Sequence, residues 1–173
     1  MRKTAKYAIF PTKWGFFGIA GTEEGLLRTH LPIPEPEEIK SRLLQNLPAA
    51  QLGRAFFKQA QDRIAAYFAG VPVNFGTEIP LDLTELTPFQ AAVLTACRRV
   101  KLGRTITYGQ LAEELGKPNA ARAVGNALAK NPLPLIIPCH RIVRSNNELG
   151  GFSAPGGTTL KARLLSHEHA LTS

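Results

Sequence analysis

The first half of the chain alternates short apolar runs with turn signals. The runs "KYAIF", "WGFFGIAG" and "GLLRTHLP" are rich in aromatic or branched residues. Pro11-Thr12-Lys13 and the Gly21–Gly25 stretch separate them, so the pattern predicts strands joined as hairpins. "EPEEIKSRLLQNL" opens on proline and acids, as a helix N-terminus does. In "QLGRAFFKQAQDRIAAYFAG", Leu52, Ala55, Phe56, Ala60, Ile64, Tyr67 and Phe68 recur at helical spacing, and Gly70 marks the stop. From Gly76 to Pro88 periodicity fades and two prolines appear, so the inter-domain connection is expected there. The expected division is residues 1–82, mixed α/β, and 83–173, mainly helical.

The second half carries helical patterns. "TPFQAAVLTACRRV" has Thr87 as N-cap and Pro88 at the first helical position. Its apolar face includes Phe89, Val93, Leu94 and Cys97, which makes Cys97 a packed core thiol. A short helix from Tyr108 to Leu115 ends at Gly116. After the turn Gly116-Lys117-Pro118, a second helix begins with Asn119 as N-cap and ends near Asn131-Pro132. Two short helices around a glycine-containing turn form a helix-turn-helix pattern, which also arises as a plain packing unit. The second helix is dominated by small residues: Ala120, Ala121, Ala123, Gly125 and Ala127. Only Arg122 and Asn126 within it offer long or polar side chains for reading bases. If it meets DNA, binding through phosphates and shape is expected, without sequence specificity.

Composition narrows the class. With 44% hydrophobic and 20% charged residues in 173, the chain has enough apolar surface for a folded core. The N-terminus starts basic but Lys13 and Trp14 interrupt its apolar run, so neither a signal peptide nor a membrane span is expected, and the cytoplasm is the expected compartment. The net charge of +8 is unevenly placed. Nine basic and two acidic residues between Arg98 and Arg144 give that segment +7, whereas residues 1–86 carry ten basic and nine acidic residues. Such a concentration is either a solvated basic surface or the footprint of a polyanion such as nucleic acid. No oligomerisation signal is present, so a monomer is expected. Two cysteines and four histidines match no usual zinc spacing, and His167-Glu168-His169 reads as a solvated helix end; no metal is expected.

The segment "LIIPCHRIV" concentrates the candidate chemistry. Pro138 fixes the backbone before Cys139, and His140 and Arg141 follow it. Adjacent positive charge is expected to favour the thiolate. Three readings are open: a buried structural thiol, a hydrolase dyad with a distant histidine, or a nucleophile that attacks a group on DNA. The third joins the thiol, the basic segment and the small-residue helix. It requires an extruded base, and Arg122 is the candidate to fill the gap left in the stack.

"TYGQLA", "AARAVGNALAKNPLPL", "IPCHRIV" and "LLSHE" together resemble the O6-alkylguanine-DNA alkyltransferases, also called methylated-DNA–protein-cysteine methyltransferases. The resemblance spans roughly Thr87 to Glu168. It implies an α+β architecture with a ribonuclease-H-like N-terminal domain and a helix-turn-helix, winged-helix-like C-terminal domain. It implies transfer of an alkyl group from O6-alkylguanine, with O4-alkylthymine as a further substrate, onto Cys139, once per molecule and without a cofactor. Double-stranded DNA containing the lesion is the implied partner. His140 would act as base through a water, Glu168 would orient it, and Tyr108 would protonate the departing guanine. Arg122 would replace the flipped base on a DNA-binding surface with Asn119, Ala121, Ala123, Gly125 and Asn126. Asn131 would hold the turn before the thiol. Val143, Phe152 and Ser153 would line the base pocket, under a lid at Gly151–Gly157. The lid "GGFSAPGG" is longer than is usual in the family through Ala154-Pro155, and Phe152 stands where tyrosine is frequent. Relatives without the cysteine only bind lesions, so a non-catalytic lesion binder is the alternative, and a helix-turn-helix regulator with an inert thiol is the third reading.

Overall fold

The computed structural model describes residues 3–146 and 148–173. The chain separates into two compact units, residues 1–83 and 84–173.

Alternation drives the first unit. Strands β1 (Lys6–Thr12), β2 (Gly15–Thr22) and β3 (Gly25–Ile33) form an antiparallel meander, and β4 (Gln51–Leu52) adds parallel to β1, giving the order β3-β2-β1-β4. Helix α1 (Pro36–Leu43) buries Ile39 and Leu43. It sits close to β2 because Gly18 has no side chain: a Cβ there would lie 2.5 Å from Ile39 Cγ2. Helix α2 (Lys58–Phe68) buries Ile64, Tyr67 and Phe68. Phe17 is fully buried, with ring centroids 5.6 Å from Phe10 and 6.0 Å from Phe68.

The helix expected from Leu52 onward begins six residues later. Leu52 belongs to β4 and is 55% exposed, while Phe57 adopts a left-handed conformation at φ 50° that no helix continues through. Gln61 stabilises this bend by donating to the carbonyls of Arg54 (3.0 Å) and Phe56 (2.8 Å). Backbone pairing with β1 thus overrides the helical spacing of the apolar residues.

The second unit is mainly helical: α3 (Pro88–Arg98), α4 (Tyr108–Glu114), α5 (Ala121–Ala129) and α6 (Gly157–Thr172). Thr87 and Thr107 each close a capping box, with Gln90 and Gln110 respectively. Gly116, at φ 71°, turns the chain out of α4. The expected N-cap of α5 is corrected: Asn119 is an exposed turn residue, and Ala120 occupies the cap without a side-chain hydrogen bond. A turn closed by the Ala120 amide on the Lys117 carbonyl (2.9 Å) sets the start of the helix instead.

Two very short strands place the chemistry. β5 (Ile106–Thr107) pairs parallel with β6 (Ile142–Val143), with Ile106 opposite Ile142 and Thr107 opposite Val143. The residue after β5 is Tyr108 and the residue after β6 is Arg144, so the register carries both to the same edge. Among the described residues no helix is long and apolar enough to cross a membrane.

The Thr107 capping box fixes the start of α4 and with it Tyr108. Thr107→Ala should lower stability by about 1 kcal/mol, and Thr107→Ser should recover most of the loss. Urea unfolding of the three proteins measures this.

Candidate active site

Cys139 opens a single 3-10 turn, Cys139–Arg141, between α5 and β6. The approach to it is strained and then locked. Leu135 has φ 78°, a conformation that costs a branched residue about 1–3 kcal/mol. It is held there by burial of Leu133, Leu135, Ile136 and Ile137. Asn131 clasps the same loop: its Nδ2 donates to the Ile137 carbonyl at 3.0 Å, and its Oδ1 accepts from the Leu133 amide at 2.9 Å.

Behind the thiol lies a buried ionic cluster. His140 Nε2 donates to Glu168 Oε1 at 2.7 Å. Arg141 grips the same carboxylate with Nε on Oε2 and Nη2 on Oε1, both at 2.9 Å, and its Nη1 donates to the Val100 carbonyl at 2.6 Å. His140, Arg141 and Glu168 are 0%, 4% and 1% exposed. With Nε2–H committed to the carboxylate, His140 keeps Nδ1 as an acceptor, and that buried atom has no hydrogen-bond partner among the described residues.

These environments set the charges. Burial pushes the His140 pKa down, more than the hydrogen bond and charge of Glu168 raise it, so the imidazole is neutral. Burial would push Glu168 up, but the hydrogen bond from His140 and the hydrogen bonds and charge of Arg141 prevail and lower it to about 2. Burial raises the Cys139 pKa, while the Asn131 side chain and the charge of Lys161 pull it back. The expectation that His140 and Arg141 favour the thiolate is therefore corrected. His140 is uncharged, and the Arg141 guanidinium is turned away onto Glu168. Deprotonation of Cys139 calls for a base.

Cys139 opens on a cavity of about 620 Å³. Of the residues singled out in the sequence, Tyr108, Ala121, Arg122, Gly125, Phe152 and Ser153 line it with the thiol. Val143 is not on its wall; it is buried in β6 opposite Thr107. Asn119, Ala123 and Asn126 are exposed and lie outside the cavity wall, and Asn131 stands behind Cys139. Gly150, at φ 74°, lets the chain pass the phenol: a Cβ there would fall 2.7 Å from the Tyr108 hydroxyl. Ser153 Oγ donates to the Ala129 carbonyl at 2.7 Å and fastens the following segment to the end of α5.

Sequence reasoning missed three residues. Arg144 lines the cavity and pairs with Glu148 at 3.3 Å. Arg141 is a structural partner of Glu168 rather than a neighbour charge for the thiol. Lys161 is fully buried in α6. Its signal was the spacing Lys161, Leu164, Glu168, which places both charged residues on the apolar face of one helix. Among the described residues no group of three or more His, Cys, Asp and Glu side chains is arranged to hold a metal.

The family model for the 6-O-methylguanine DNA methyltransferase DNA-binding domain matches residues 88–170. A methylated-DNA–protein-cysteine methyltransferase of Methanosarcina acetivorans is 35% identical over 163 residues, 94% of this chain and 97% of that protein. The chain belongs to the methylated-DNA–protein-cysteine methyltransferase family. Another protein of that name, from Salmonella typhimurium, is 44% identical over 108 residues, 62% of this chain and 60% of that protein. The O6-methylguanine methyltransferase of Mycobacterium tuberculosis matches in structure with a TM-score of 0.77 at 30% identity, covering 96% of this chain and 94% of that one. The M. tuberculosis protein OGT in complex with DNA matches with a TM-score of 0.79, also at 30% identity and with the same coverage. The M. acetivorans and M. tuberculosis matches run over more than nine-tenths of the chain, so the family and the mixed α+β fold hold for the chain as a whole.

Glu168 should dominate the acid limb of stability. Its pKa is depressed, so its contribution is full above about pH 4.5 and is lost as pH falls toward about 2. His140 is depressed too, so the unfolded chain takes up its proton below about pH 6.5 before the folded chain does, and stability starts to decline there. Glu168→Gln should cost about 3–5 kcal/mol at neutral pH, because the Arg141 charge is left buried without its counter-ion. It should also abolish the limb between pH 4.5 and 2. Urea titrations of both proteins across pH check the two effects.

Proposed function

We propose that this protein repairs DNA directly, by moving the alkyl group of O6-alkylguanine irreversibly onto Cys139. The observation that carries the reading is the single cavity shared by the Cys139 thiol, the Tyr108 phenol and Arg122 of the small-residue helix. Family membership supplies the reaction class, and these residues supply its parts.

His140 Nδ1 takes the thiol proton, with a solvent molecule as relay, and Glu168 holds the ring in the tautomer that leaves this nitrogen free. The thiolate attacks the alkyl carbon in line with the C–O6 bond. A carbon–sulfur bond forms, the carbon–oxygen bond breaks, and its electron pair passes to the guanine. Tyr108 donates a proton to the base as that charge develops. The product is guanine in DNA and a thioether on Cys139. Thioether formation cannot be reversed by any group in the cavity, so each molecule acts once.

A base in duplex DNA must leave the stack to reach a cavity of this kind, at a cost of a few kcal/mol. The exposed Arg122 on α5 fills the gap. Ala121, Ala123 and Gly125 allow close approach of the helix backbone, with Asn119 and Asn126 at its edge. Phosphate contacts from the basic second unit supply affinity without sequence preference. Phe152 and Ser153 close over the base. O4-alkylthymine is a secondary substrate. The first unit serves as a ribonuclease-H-like scaffold, a reading supported by its strand order with β4 parallel to β1. The second is a winged-helix-like DNA-binding and transfer domain, acting where thiols stay reduced, in the cytoplasm.

Incubation with a duplex containing O6-methylguanine should add one methyl group to the peptide carrying Cys139, read by intact-mass and peptide mass spectrometry. Cys139→Ala should bind the lesion and leave it intact. Tight binding by the wild type with no mass gain would favour the lesion-binder alternative. Arg122→Ala should slow repair by about tenfold or more while changing binding to undamaged duplex by much less. Equal losses in both assays would make Arg122 a phosphate contact only.

A further inference from the structure

Lys161 is a buried group at this site whose chemistry the reaction scheme leaves unused. It is fully buried, and its Nζ donates to the Ile142 carbonyl at 2.7 Å and the Gly151 carbonyl at 3.3 Å. It also lies 5.7 Å from the centroid of the Tyr108 ring. One ammonium thus ties together the strand that follows the nucleophile, the segment that covers the cavity, and the phenol.

Neutral carbonyls do not balance a buried charge, and none of the ion pairs among the described residues includes Lys161. The charged and titratable groups that feel its charge are Cys139, Cys97, Arg144, Tyr108 and His140, which burial keeps neutral. Arg144 repels it. Cys97 is held well above its ordinary pKa by burial and stays a thiol. Burial raises Tyr108 as well, so its phenol stays protonated. Cys139 is the remaining group that can become an anion.

We propose that Lys161 is a positioning residue whose buried ammonium is the counter-charge for the Cys139 thiolate, and that through Gly151 it couples closure of the cavity to ionisation of the nucleophile. The inference rests on the reading of Cys139 as acceptor. The mutual influence of the two groups agrees with it. Lys161 lowers the Cys139 pKa, and an ionised Cys139 raises that of Lys161, which burial otherwise lowers to about 8. The two protons therefore belong to a coupled pair. Alkylation converts the sulfur to a neutral thioether and ends the coupling. The ammonium then faces only carbonyls, and its hold on Gly151 weakens as it deprotonates more readily.

The test uses the full chain and iodoacetamide, which alkylates Cys139 without DNA, with peptide mass spectrometry as the readout across pH. Lys161→Met should move the midpoint of Cys139 alkylation up by about one pH unit and slow it several-fold at neutral pH. Lys161→Arg should restore most of the shift. A folded Lys161→Met chain with the wild-type midpoint or a lower one would overturn the proposal, because lost packing alone relieves burial of the thiol and moves its titration down, not up. If Lys161→Met does not fold, NMR of the wild-type chain with 13C-labelled lysine decides. The Lys161 resonance, separated from lysines that titrate near 10.4, should titrate at lower pH after S-methylation. An unchanged midpoint would overturn the proposal. Normal reaction with iodoacetamide but none with an O6-methylguanine duplex would fault the repair reading instead and leave this one standing.

Discussion

One carboxylate, Glu168, fixes the arrangement of the reactive segment. Its two oxygens accept three hydrogen bonds from two consecutive residues of the Cys139–Arg141 turn. A buried anion must be matched by donors or it will take up a proton. Here the match is made by residues adjacent to the nucleophile, so the electrostatic requirement of one helix dictates the conformation of another segment. Arg141 supplies two of those three hydrogen bonds and the permanent positive charge. That leaves His140 neutral, with one nitrogen bound and the other free, which is the state a base needs. Replacing Arg141 by a neutral residue would leave the imidazole to satisfy the carboxylate by itself, and would push it toward the protonated state in which it can accept nothing.

Much of this was legible in residue order. The strands of the first unit follow from alternation between turns, and the Thr87 cap of α3 follows from Thr-Pro ahead of a helical pattern. The motif residues Cys139, Tyr108 and Arg122 do meet at one cavity. The start of α2 was not legible, because apolar spacing over Leu52–Phe56 competes with pairing to β1, and the long-range partner wins. The cap of α5 was not legible either. Asn119 has the right side chain, but the turn after Lys117 places it one residue too early.

The largest misreading was electrostatic. A histidine and an arginine beside a cysteine suggest a positive field at the sulfur. The field depends on where those side chains point, and both point to Glu168, 27 or 28 residues further along the chain. The cation that does bear on the sulfur is Lys161, twenty-two residues further on, and its only signal in the sequence is its spacing from Leu164 and Glu168 on one helix face. Sequence adjacency is a poor guide to electrostatic adjacency wherever a buried acid can draw neighbouring cations away.

The clasp made by Asn131 has a consequence for how damage is found. Helix α5 ends at Ala129, and two hydrogen bonds from Asn131 bind the helix end to the loop that carries Cys139. On the proposed reading, the helix that meets DNA and the sulfur move as one piece, like the jaws of a calliper set to a fixed gap. A gauge working in that way would ask the same question at each nucleotide it passes, whether an atom of the right kind lies at one fixed depth, and would need no knowledge of the letters on either side.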